Sequence, residues 1–150
     1  MHTPVLFRDR PRPFQVVLGG VVPLLFGAVV GIVLGISSGG YWGLSALAAI
    51  GGVLAGFEHR DGWGGADRGL VGGALFGLGV LVAHAIAGTH AKVSLGGFPP
   101  LLVVIDAIVA MFLGALGGRI ARALRERAGQ PVDDQQPLAA EPLVEESLVE

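Results

Sequence analysis

Apolar and polar positions along this chain fall into long blocks. Four apolar runs, about residues 15–37, 41–57, 69–87 and 100–118, are separated by short polar or glycine-rich segments. A helix needs roughly 20 apolar residues to cross about 30 Å of hydrocarbon. Each run therefore predicts one transmembrane helix, the second near the short limit. The first run follows a basic flank, as a secretory signal would. It is too long for a signal's apolar core, however, and no clear small-x-small cleavage site follows it. Pro23 predicts a kink within that run. Residues 37–40, Ser-Ser-Gly-Gly, predict a tight turn, and Tyr41 with Trp42 then suit an interfacial anchor. Polar segments at 58–68 and 88–98 read as loops. Pro99-Pro100 opens the fourth run, where a missing N–H is tolerated.

Charge gives the orientation. Residues 1–14, the 58–68 loop and residues 119–127 hold nine of the ten Lys and Arg residues, and the two opposite segments hold only Lys92. Bases accumulate on the cytoplasmic side of a membrane. All nine share one side only if the chain crosses four times with both termini inside, whereas three or five crossings would split them. The expectation is an all-α integral membrane protein: a compact four-helix transmembrane bundle, N-in/C-in, in the cell inner (plasma) membrane, with two parallel helical hairpins as one way of building it. Residues 1–14, with Pro4, Pro11 and Pro13, read as a basic cytoplasmic leader that is not helical. Residues 15–118 form the transmembrane domain, and 119–128 extend the fourth helix into the cytoplasm. Residues 129–150 are acidic and read as a disordered tail. That tail either solubilises the chain or docks on a cytoplasmic partner through residues 131–150.

Composition agrees with lipid as the solvent. The chain of 150 residues is 52% hydrophobic and 15% charged, and its mean hydropathy is +0.68. A soluble domain carries about 25% charged residues. The 26 glycines are patterned. Gly27, Gly31, Gly35 and Gly39 recur every fourth residue in the first run. Ala48, Gly52 and Gly56 do so in the second, Gly65, Gly69, Gly73 and Gly77 in the third, and Ala110, Gly114 and Gly118 in the fourth. Four-residue spacing keeps each set on one helix face, and small faces let backbones approach closely in lipid. The stripes serve packing within the bundle, self-association, or both. Helices this thin leave little room for a wide pore inside one subunit.

Against that apolar background a few polar residues need a reason. Asp106 lies within the fourth run, where an acid costs roughly 2.5–3.5 kcal/mol on the insertion scale. It shares a stripe with Ala110, Gly114 and Gly118, so it should face protein or water. His84 lies on the Gly77 face of the third run. At roughly 6 Å and 9 Å from the outer helix ends, His84 and Asp106 have compatible depths. They are candidates for a pair that relays protons, binds a cation, or simply clamps two helices. Glu58 and His59, at the inner mouth with Arg60, Asp61, Asp67 and Arg68, are either a solvated loop or a gate.

Several chemistries are absent. There is no cysteine, hence no disulfide, thiolate metal site or cysteine nucleophile. His59 and His84 fall at opposite edges of the membrane and cannot share a haem iron. His84 could join His90 only if the outer loop folds back. No serine–base pair, phosphate loop or metal-ligand spacing is present, so no enzyme, metal, cofactor or nucleic-acid role is expected. A short stretch, Gly52…Gly56-Phe57-Glu58-His59-Arg60 followed by Arg68…Gly73-Ala74-Leu75-Phe76, resembles the loop of the MgtC/SapB membrane proteins. It departs from that family in having Arg60 where a second acid is expected and in a short spacing to Phe76, and no function is carried over. The expected function is an oligomeric channel or transporter for a proton or small ion, with Asp106, His84, Glu58 and His59 on its path. The alternative is a non-catalytic accessory or scaffold subunit of a larger membrane complex. The expected partners are the lipid bilayer and either a second copy or another membrane subunit.

Overall fold

The computed structural model describes residues 11–59 and 61–129. The acidic tail beyond Gly129, most of the basic leader and Arg60 lie outside these residues. The described residues are helical and contain no strand. Four helices are each long and apolar enough to cross a membrane: α1 (Arg12–Leu34), α2 (Ser38–Gly56), α3 (Gly62–Ala87) and α4 (Leu101–Arg127). Their outward faces carry large apolar side chains such as Ile32, Leu47, Ile50, Val82 and Phe112. That surface suits lipid, where a helix satisfies its own backbone and needs no polar coat.

The helix ends differ from the sequence expectation in instructive ways. α1 begins at Arg12, with Pro13 inside its first turn. The first turn has no N–H partners to lose, so proline is accepted there, and the leader is shorter than 1–14. Ser37 caps α2, its Oγ accepting from Gly40 N–H at 3.1 Å. Gly39 therefore belongs to α2 and not to the α1 stripe. Adjacent helical residues point about 100° apart, so Tyr41 turns inward and is buried while Trp42 stays outside. Asp61 caps α3, its Oδ1 accepting from Gly64 N–H at 2.8 Å, so most of the expected 58–68 loop is two turns of helix. Gly88 closes α3 in the left-handed region at φ 62°, where glycine carries no Cβ penalty. The first donors of α4 are met by the preceding turn: Leu101, Leu102 and Val103 donate to the carbonyls of Phe98, Pro99 and Pro100.

The irregularity in α1 sits one turn before Pro23, as a π-turn over Val17–Val21. Val22 N–H donates to the Val17 carbonyl. The next donor in that register would be Pro23, which has none. The Leu18 carbonyl is left over, and Arg68 Nη2 from α3 donates to it at 3.1 Å. A basic residue that hydropathy places in a loop is thus a tie between two helices.

Backbone contact at glycine sets the helix order. A methyl group at Gly65, Gly69 or Gly73 would strike the carbonyls of Gly114, Ala110 and Asp106 respectively, so α3 lies directly on α4. On its other side α3 meets α1, where Gly27 and Gly31 abut the carbonyls of Phe76 and Val80, and Gly79 abuts that of Leu24. α2 rests on α4 through Gly56 against Gly114 and Gly117 against Val53. The order across the bundle is α1, α3, α4, α2. Gly79 and Gly117 lie off the four-residue stripes and face a second neighbour, because α3 and α4 each contact two helices at close range.

The two ends of the bundle are closed differently. At the end formed by the 88–100 segment, Val30, Leu34, Tyr41 and Val80 form a buried core, with Val93 and Leu95 of that segment packed onto it. Lys92 N–H donates to the Leu34 carbonyl at 2.9 Å. At the arginine-bearing end, Arg125 Nη2 donates to the carbonyls of Phe57 and His59 at 3.0 and 3.1 Å. A guanidinium over the terminal carbonyls of α2 answers both their lost hydrogen bonds and the negative end of the helix dipole.

Candidate functional site

Because α2 packs mainly on α4 and meets α1 less closely, the four helices do not fill the space between them. A half-open groove of about 600 Å³ remains, lined by all four. From α1 come Leu18, Val22, Pro23 and Phe26, from α2 Ser45, Ala48, Gly52 and Ala55, and from the turn after α2 Glu58. Arg68, Gly72, Gly73 and Phe76 of α3 and Asp106, Ala110 and Leu113 of α4 complete it. The lining is mostly apolar. Its ionisable groups are Glu58 and Arg68 toward the arginine-bearing end and Asp106 toward the other. Glycine brings three helix pairs close, and the gap lies between α1 and α2.

Asp106 is placed by the glycines opposite it. Its Oδ2 would lie 2.9 Å from a methyl group at Gly77, and its carbonyl touches Gly73. A side chain at Gly77 would occupy the acid's place. Ser45 of α2 lines the same groove. No ion pair to Asp106 is formed among the described residues. The acid is five residues into α4, about 7.5 Å from its start.

His84 and Asp106 are not brought together. Gly73 faces Asp106 and Ala110, and Gly77 faces Val103 and Asp106, so each step up α3 runs one step down α4. His84, seven residues beyond Gly77, lies about 10 Å further along the axis and past the start of α4. Its Nδ1 is buried with no hydrogen-bond partner. Compatible depth did not suffice because the antiparallel register, not distance from the helix ends, decides what meets. His90 is exposed on the 88–100 segment.

The inner-mouth residues separate as well. Glu58 lines the groove. His59 is 9% exposed, turned back on its own helix with Nδ1 3.3 Å from the Ala55 carbonyl. Its backbone is held by Arg125, which makes it part of the turn. Sequence reading missed Ser45 as a groove residue and read Arg68 only as part of the inner-mouth cluster. Arg68 had a signal, since it stands four residues before the glycine pair Gly72-Gly73 on a helix-compatible spacing. Ser45 had none. The residues that resemble the MgtC/SapB loop divide between the end of α2, the following turn and the interior of α3. Comparison with known protein families, with curated proteins and with solved structures gives no match to this chain.

Proposed function

We propose that this chain is a small membrane carrier that moves a proton or small cation by way of Asp106, with its arginine-bearing end in the cytoplasm. One observation carries the reading. A carboxylate stands at the far end of a groove whose outer side is sealed by the core of Val30, Leu34, Tyr41 and Val80. A half-open groove that leads to an acid below a closed end of the bundle suits a carrier, which holds its cargo while one side is blocked. A channel would need a continuous path. An acid at membrane depth is also a functional candidate by cost, since a purely structural position has no need of it. All four helices of one subunit line the groove, so the reading requires no second copy.

The test is proton flux in liposomes containing the purified protein and an internal pH-sensitive dye. An imposed cation or pH gradient should drive dye response in the wild type and not in Asp106→Asn. Equal flux from both proteins, or none from either under every gradient, overturns the reading.

A further inference from the structure

The groove is larger than a proton or a bare metal ion requires. We infer that its cargo is a lipophilic organic monocation, an ammonium or phosphonium carrying apolar substituents, with its charge against Asp106 and its body along the apolar wall. This names the substrate class of the site proposed above and rests on that reading.

Size and lining argue first. A volume of about 600 Å³ falls within the roughly 300–1,000 Å³ of small-molecule sites, which are mainly apolar with a few placed polar groups. A metal ion instead needs several oxygen or nitrogen ligands converging on one point. Among the described residues no three His, Asp or Glu side chains form such a group.

Charge argues second. The groove holds two carboxylates, Glu58 and Asp106, and one guanidinium, and Arg68 already donates to the Leu18 carbonyl. The acid nearest the sealed end has no ion-pair partner among the described residues. A cation there is balanced, whereas an anion would meet Asp106. Aromatic lining argues third. Phe26 and Phe76 enter the groove wall as a tilted pair with centroids 6.2 Å apart, and Phe76 precedes the glycine that touches the acid. Ring faces attract organic cations, more so where water is excluded.

Tetraphenylphosphonium is the probe, titrated by calorimetry into the full chain in detergent. Saturable binding at one site per chain is expected. Asp106→Asn should weaken it about tenfold or more, the equivalent of about 1.4 kcal/mol. Ala48→Phe, which fills the groove and leaves the acid in place, should weaken it as well. Neutral triphenylphosphine oxide should bind at least about tenfold more weakly than the cation. Asp67→Asn, an exposed acid outside the groove, should bind as the wild type does.

Equal binding of the neutral compound, or undiminished binding in Asp106→Asn, overturns the inference. So does a phospholipid that native mass measurement finds retained and that the cation does not displace. If Asp106→Asn does not fold, Ala48→Phe and the neutral compound decide the matter. Asp106-dependent proton flux without phosphonium binding removes this inference and leaves the carrier standing. Asp106-dependent phosphonium binding without proton flux does the reverse.

Discussion

Gly73→Ala adds one methyl group at a close backbone approach between α3 and α4. That methyl would strike the Asp106 carbonyl and lie 2.5 Å from Ala110 Cβ, where ordinary contact begins at 3.4 Å. The obstacles are helix backbone and a Cβ, neither of which can rotate away, so the helices must part by about 1 Å. A radial gap of 0.5–1 Å forfeits about a quarter to a half of each contact's attraction, and in lipid no hydrophobic drive compensates. Overpacking of this kind costs about 1–3 kcal/mol. The control is Gly51→Ala, where a new methyl meets nothing within 4 Å and helix propensity improves by up to about 1 kcal/mol. The same propensity gain applies at Gly73, so the two alanines should differ by the overpacking cost, about 1–3 kcal/mol, with Gly73→Ala the less stable. Unfolding of the purified protein by titrated denaturing detergent, followed by circular dichroism, reads the difference. If both variants unfold at the wild-type midpoint, close backbone contact at Gly73 does not hold the bundle.

Other substitutions address the polar ties. Arg68→Leu removes the donor to Leu18 and should destabilise by about 1–3 kcal/mol, the cost of an unmet buried carbonyl. Faster amide exchange around the π-turn should localise the effect. Arg125→Ala loses both bonds to the turn after α2 and should cost about 1.5–3 kcal/mol. Arg122→Ala breaks an exposed pair with Glu126, worth about 0.3–0.5 kcal/mol at that spacing, so the same detergent titration separates the two. Asp61→Ala removes the α3 cap and should cost about 0.5–2 kcal/mol, with amide exchange rising at Gly64 and Gly65 first.

Much of this arrangement was legible without coordinates. The number of crossings follows from the length and spacing of apolar runs, because hydropathy is a property of each segment against its solvent. Four-residue glycine spacing likewise declares a close-packing face whatever the partner. The same reading failed at helix ends governed by single hydrogen bonds. Asp61 turned an expected loop into helix, and Ser37 drew Gly39 into α2.

Only the tertiary structure decided which faces meet. Asp106 lies against Gly73 and Gly77, not His84, because register along two antiparallel helices is a property of the pair. Arg68 faces the Leu18 carbonyl because a π-turn and Pro23 together leave that oxygen open fifty residues away. The groove arises from where α2 lies relative to α1, a relation that no single helix encodes. Sequence fixes what each segment can bury; which carbonyl lies beneath which glycine depends on all four helices at once.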